Sequence, residues 1–259
     1  AFSNSASGTD MRYKIEWANQ VASTAAAEGP VDTSSNSHTL TAVGNATTST
    51  SIIKSGVGTH SMQFDGTGDW YTIPDGTWID LGTGDFTMEA WIYLTASGSW
   101  RAVLGSGNWH GPTTYDFTWD VNGGNNKLRF NVANGSTETG IDMATAIVNS
   151  TWTHVAVVRS GGTLKQYLNG TVNGTTLSST QDVTSHGVVY IGNQSRGVPW
   201  QGNIQEVRIS NNARYTSNFT PSTSAFTSDS NTLLLVHGSG TAAVTGHQVR
   251  VHATSLAWA

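Results

Sequence analysis

The chain contains no cysteine. That excludes thiol chemistry, disulfide staples and cysteine-zinc centres, so the fold must be held by packing and hydrogen bonds. Charge is also scarce. Asp, Glu, Lys and Arg make up 11% of the 259 residues, where an ordinary soluble domain has about 25%. The 12 basic residues are scattered and are outnumbered by 17 acidic ones, leaving a net charge of −5. Binding a phosphate backbone needs clustered Lys and Arg, so nucleic acid is not an expected partner. No apolar run approaches the roughly 20 residues of a spanning helix, and membrane insertion is not expected. Val21 to Ala27 is too short, and too polar in its flanks, for a signal peptide. Gly, Ser, Thr and Asn fill the space that charge leaves, with 29 Gly and only 5 Pro.

What is present is a supply of short strands. Hydrophobic residues reach 37% and include 10 Trp, enough to build a core. From Trp152, the residues Trp152, His154, Ala156 and Val158 alternate with Thr153, Val155, Val157 and Arg159, the period of a strand. Ser160-Gly161-Gly162 is turn chemistry, Leu164 to Leu168 alternates again, and Asn169-Gly170 supplies the two positive-φ residues of a tight type I′ hairpin. Both faces of this meander carry apolar groups, so a second layer must cover it. Asp85 to Leu94 is the longest strand signal, with Phe86, Met88, Ala90 and Ile92 on one face and Trp91 and Tyr93 on the other. Asp116 to Val121 and Leu128 to Val132 flank a hairpin at Asn122 to Asn126. Further strands are expected at Met11 to Trp17, Thr39 to Val43, Asn45 to Ser51, Ser61 to Phe64, Trp70 to Ile73, Ala102 to Leu104, Val188 to Gly192, Asn203 to Ile209 and Leu233 to Val236. Strands spaced by Gly-rich turns, with no long helix, predict an all-β, two-sheet antiparallel jelly-roll sandwich. Residues 1–30 are expected to form an N-terminal arm with a first strand, 31–236 the jelly roll, and 237–259 a tail or closing strand.

Five blocks in order carry a family likeness: Phe64 to Pro74 (FDGTGDWYTIP), Gly82 to Tyr93 (GTGDFTMEAWIY), Trp152 to Gly170, Tyr190 to Asn193 (YIGN) and Gly202 to Pro221 (GNIQEVRISNNARYTSNFTP). Together they resemble the laminin G-like jelly rolls of the concanavalin A-like lectin/glucanase superfamily. The ending ARYTSNFTP to LLL is most similar to copies in bacteriophage tail and virion proteins. The resemblance implies two stacked sheets with a concave face and loops at one rim. It also implies a calcium site, with Asp32 and Glu206 as ligands and backbone carbonyls completing the shell. Gln205 stands where the family usually has the first of two acidic residues, and LLLVHGSG lacks the family's aspartate. Fold alone does not imply activity.

No alternating carboxylates of the glucanase kind occur. Glu89 and Glu206 stand singly and read as satisfied strand carboxylates, and no Ser-His-Asp elbow or metal-spaced histidine pattern is present. His154, beside Trp152, reads as a hydrogen-bonded structural histidine. A non-enzymatic protein is therefore expected. Oxygen-rich turns suit a hard cation, and Asp65 and Asp69 form a second calcium pair to weigh against plain turn-capping. Trp100, Trp109, Tyr115, Trp119 and Trp200 fall in or near loops, where an indole face could stack on a sugar ring or pack between subunits. The expected function is contact on a virion surface, as a tail, fibre or capsid-decorating protein that meets neighbouring subunits or further copies of itself and attaches to host glycans. The alternative is a secreted or cell-surface bacterial carbohydrate-binding module, hence extracellular.

Overall fold

The computed structural model describes residues 29–107, 115–133, 138–184 and 187–239. The expected N-terminal arm with its Met11 to Trp17 strand, and all but the first three residues of the C-terminal tail, lie outside them. Among the described residues the strands form two antiparallel sheets. The larger, sheet A, runs in the order β1 (Val31–Asp32), β17 (Thr232–His237), β16 (Gln201–Ser210), β6 (Phe86–Leu94), β11 (Thr153–Ser160), β12 (Thr163–Leu168) and β13 (Thr171–Val172). β14 (Leu177–Ser178) also pairs with β12, while β4 (Ser61–Asp65) pairs with β16 and carries β3 (Thr47–Ser49). Sheet B runs β10 (Glu138–Ala146), β9 (Lys127–Ala133), β8 (Tyr115–Val121), β7 (Arg101–Gly107), β15 (Val189–Ile191), β5 (Trp70–Ile73) and β2 (Thr41–Val43). This is the expected jelly-roll sandwich.

Alternation explains how the sheets meet. On β6, Phe86, Met88, Ala90, Ile92 and Leu94 enter the core between the sheets, with Val155 and Val157 of β11 beside them. Sheet B answers with Phe117, Trp119 and Val121 of β8 and Leu128, Phe130 and Val132 of β9, paired in register as Trp119 to Phe130 and Val121 to Leu128. The opposite face of sheet A is also apolar, as the two-sided pattern required. There Trp91 packs with Val57, Phe226 and Leu235, and Ala156, Val158 and Tyr167 pack with Tyr215 and Phe219. The covering layer on this side is therefore the irregular segment between β16 and β17, a third layer that strand patterns do not announce.

The hairpin joining β12 to β13 has the geometry that Asn-Gly demands, with φ of 49° at Asn169 and 80° at Gly170. The turn is pinned twice, because Asn169 Oδ1 accepts the His154 N–H at 2.9 Å and the Gly170 carbonyl accepts the Phe219 N–H at 2.8 Å. A Cβ at position 170 would overlap the Phe219 carbonyl oxygen. Gly170→Ala is accordingly expected to destabilise the fold by at least about 2 kcal/mol in a urea melt, combining left-handed strain with a backbone collision. A loss smaller than about 0.5 kcal/mol would mean that the covering segment moves aside at little cost.

Candidate functional site

Of the five aromatic residues expected at a contact surface, the described ones part ways. Among the described tryptophans Trp100 alone is exposed, at 37%. Trp119 is fully buried, because its place on β8 puts it on the inward face with Phe117 and Val121, and its indole N–H donates to Gln166 Oε1 at 3.2 Å. Trp200, at the entry to β16, is likewise fully buried in the main core. Neither can stack on a ligand, which corrects the expectation drawn from their apparent loop positions. Trp109 and the side chain of Tyr115 lie outside the described residues.

Around Trp100 the structure assembles residues that pattern reading passed over. The face of β8 opposite Trp119 presents Thr118 and Asp120, and the same face of β9 presents Arg129 and Asn131, in register as Asp120 to Arg129 and Thr118 to Asn131. Asp120 is fully buried and accepts Arg129 Nε at 3.2 Å, Arg129 Nη2 at 3.4 Å and Gln194 Nε2 at 2.9 Å. Burial pushes the Asp120 carboxyl up from its ordinary value, against the opposing pull of the Arg129 and Arg196 charges. Held in this way, the Arg129 guanidinium lies 4.5 Å over the Trp100 ring and fixes that ring at the surface.

Two glycines make the floor of this face. Gly105 on β7 pairs with Thr118, and a Cβ there would press on Gln194 Cβ at 2.6 Å. Gly140 on β10 pairs with Asn131, whose amide oxygen occupies the space a Cβ would need. The missing side chains let two amides lie flat on the sheet. Tyr190, half-buried on β15, pairs with Gly105. Across this floor Thr118 Oγ1, Asn131 Nδ2, Asn193 Oδ1, Gln194 Oε1 and Ser195 Oγ are buried with no hydrogen-bond partner in the protein. Each such atom costs about 1–3 kcal/mol unless something supplies its bond. The set holds an amide donor, two amide acceptors and two hydroxyls, none of them reached by solvent, on a face that also carries the exposed indole of Trp100. The only local sequence signals were glycines inside strands.

The calcium site implied by the family likeness does not assemble. Asp32 accepts Ser34 N at 2.9 Å and Leu235 N at 3.0 Å on one oxygen, and Ser34 Oγ at 2.9 Å and His38 N at 2.8 Å on the other. A carboxylate offers about four lone-pair directions, and here all are taken. Glu206 accepts Phe226 N at 2.7 Å and His237 Nδ1 at 2.6 Å. The second pair is used mainly in a turn: Asp65 accepts Asn45 Nδ2 and Thr67 N, and Asp69 Oδ2 accepts the Asp65 N–H, while Asp69 Oδ1 is buried without a hydrogen-bond partner. Burial pushes the Asp69 carboxyl up. No group of three or more His, Cys, Asp or Glu side chains placed to hold a metal occurs among the described residues. Asp32 and Glu206, already bonded within the chain, do not fit a bound calcium ion.

Glu89 and His154, separate in the sequence reading, meet on sheet A. Both are fully buried, and His154 Nε2 lies 3.2 Å from Glu89 Oε2. Arg208 Nε donates to Glu89 Oε1 at 2.8 Å, and the Tyr215 hydroxyl donates to Oε2 at 2.8 Å. The rings of Trp91, Phe219 and Phe226 close around His154. The cluster is walled in by the third layer and serves to hold that layer down.

The fold and the polar outer face of sheet B define a two-sheet jelly roll of the lectin-like class. The Laminin_G_3 family model, described as concanavalin A-like lectin/glucanases superfamily, matches residues 65–218, more than half of the chain. The chain belongs to that family. No curated protein matches it. Among solved structures it is similar to domain 4 of a GH43 extracellular arabinanase from Geobacillus stearothermophilus, in complex with arabinotriose, at 18% identity and a TM-score of 0.50, covering 68% of this chain and 83% of that one. It is also similar to a botulinum neurotoxin type C structure, from work on cell entry dependent upon interaction with two ganglioside molecules, at 13% identity and a TM-score of 0.52, covering 71% of this chain. The binding domain of botulinum neurotoxin DC in complex with SialylT follows at 14% identity and a TM-score of 0.51, again with 71% of this chain covered. The alignments span 46% and 45% of the two toxin chains. At these identities the likeness is one of fold. No helix among the described residues is long and apolar enough to cross a membrane.

Proposed function

We propose that the protein is a non-catalytic carbohydrate-binding module, secreted or displayed at a bacterial cell surface, that takes a saccharide on the outer face of sheet B. The observation that carries this reading is the exposed Trp100 indole, held by Arg129 on a sheet face that stores five polar atoms without partners. Family membership and the saccharide-complexed neighbours support it. In this reading Trp100 stacks on a ring, Asp120 holds Arg129 and Gln194 in place, and the buried Asn131, Thr118 and Asn193 meet hydroxyls only as the side chains over them shift on binding. The isolated carboxylates support a binding role, since Glu89 is spent on Arg208, His154 and Tyr215. The virion role expected from the ARYTSNFTP ending has no counterpart in the family match or the neighbours, and much of that segment is occupied in covering sheet A.

The test is a glycan array followed by calorimetry on the best oligosaccharide. Trp100→Ala is expected to weaken binding roughly tenfold, since a stacked aromatic contributes about 0.5–1.5 kcal/mol beyond its buried area. Its melting temperature should stay within about 2 °C of wild type, because the ring is exposed. Thr118→Val and Asn131→Ala should weaken binding while removing polar atoms that the free protein leaves unpaired. An array without a bound saccharide sinks the reading, as does binding that all three substitutions leave untouched. Release of reducing ends from any bound glycan would overturn the non-catalytic part.

A further inference from the structure

We propose that His237 does for Glu206 what a bridging cation would do, so that the domain is held shut at this corner without a divalent metal. The corner is where three segments converge on one buried carboxylate. Glu206 is 1% exposed and adopts a φ of 58°, the left-handed region that costs a side-chain-bearing residue. It sits in an irregularity of β16 where the pairing with β6 shifts between Gln205 and Arg208. From this position its carboxylate meets two other segments. One oxygen accepts the Phe226 N–H of the covering segment, and the other meets Nδ1 of His237, the last residue of β17, at 2.6 Å. A carboxylate can only accept, so the imidazole nitrogen facing it carries the hydrogen. The bond is thus charge-assisted and short, the kind that can oppose backbone strain.

Asp32 completes the argument from the other strand. Its four acceptor directions take donors from Ser34, His38 and Leu235, which ties β1 and its following turn to β17. A cation arriving there would have to displace main-chain donors that then lose their partners in the interior. Both carboxylates that resemblance assigns to calcium are therefore satisfied by the chain itself. His237, at the end of β17 in a segment that lacks the aspartate of the family pattern, is the residue that makes this possible.

Thermal melts of the full chain in EDTA and in millimolar calcium chloride test this directly. Wild type is expected to melt within about 1 °C in the two buffers. His237→Ala removes the donor from a buried carboxylate and should lower the melting temperature by roughly 5–10 °C in both. His237→Asp places a second carboxylate against Glu206, and two like charges at that distance cannot both ionise without cost. That variant should melt well below wild type in EDTA and recover several degrees in calcium. His237→Gln, which keeps an amide donor, should fall between wild type and His237→Ala and stay indifferent to calcium. Wild-type destabilisation by EDTA would overturn the proposal. So would His237→Ala melting as wild type does, or His237→Asp folding equally well with and without calcium.

Discussion

Glu89→Ala is expected to remove about 3–5 kcal/mol of folding stability, the loss typical when one partner of a buried ionic group is deleted. The substitution strands three groups at once. Arg208, His154 and the Tyr215 hydroxyl all meet this carboxylate, and Glu89 and His154 have no exposure at all. Burial alone pushes the Glu89 carboxyl up, but the His154 hydrogen bond and the Arg208 charge outweigh it and hold the group below its usual 4.5. The sign of the pH dependence follows. The folded state binds this proton more weakly than the unfolded chain does, so the stabilisation is complete above pH 4.5 and is lost as pH falls through the folded value. Asp69 and Asp120 tilt the other way, since burial pushes both up and their protonation favours the folded form. Urea titrations across pH 3 to 7 (roughly the span over which carboxylates exchange protons) separate the two. In Glu89→Gln the acid limb should flatten, and an unchanged limb would mean that other carboxylates govern acid unfolding.

Arg159→Met should cost a similar amount, about 3–5 kcal/mol, for a different reason. Arg159 is fully buried, with Nε on the Gly84 carbonyl at 2.6 Å, one terminal nitrogen on Gln181 at 2.6 Å and the other on Gly82 at 2.5 Å. Its guanidinium lies 4.8 Å over the Phe86 ring. One planar fork thereby closes the loop before β6 against the loop after β14, where Gly82 and Val183 also form a bridge. Methionine keeps the volume but removes the guanidinium from three carbonyls, of which that of Gly82 keeps the Val183 N–H at 3.0 Å. Arg159→Lys should recover less than half of the loss, because a single ammonium cannot span three acceptors. The measurement is the urea midpoint, with proteolysis near Gln181 as a local readout. A near-neutral Arg159→Met would mean that water replaces the guanidinium at all three carbonyls.

Much of the architecture was legible because its signals are local. The period-two runs at Phe86–Leu94, Thr153–Ser160 and Thr163–Leu168 became strands within a residue or two of their expected ends. Asn169-Gly170 took the turn its two positive φ values allow. β10 was missed because it is an edge strand: Ile141 and Met143 turn inward while most of its other residues face water, so alternation is weak. Arg101–Gly107 was read too short because Gly105 and Gly107 look like strand breakers, although Gly105 is there to let Gln194 approach. Trp119 and Trp200 looked like contact residues only because burial is invisible to a single strand. Their positions depend on the register of β8 against β9 and on how the chain enters β16.

The amino-acid sequence by itself determined the class of fold, the hairpins and the absence of thiol chemistry. All of these follow from residue types and from spacings of a few positions along one strand. Tertiary structure alone decided which of the described tryptophans reaches solvent, that Asp120 holds Arg129 against it, and that Glu206 answers to His237 rather than standing free. Those facts depend on contacts between residues far apart in the chain, across registers and crossovers that no local pattern encodes. Hydrophobic alternation states that a side chain leaves one face of a sheet. Only the packing of the second and third layers states what it meets there.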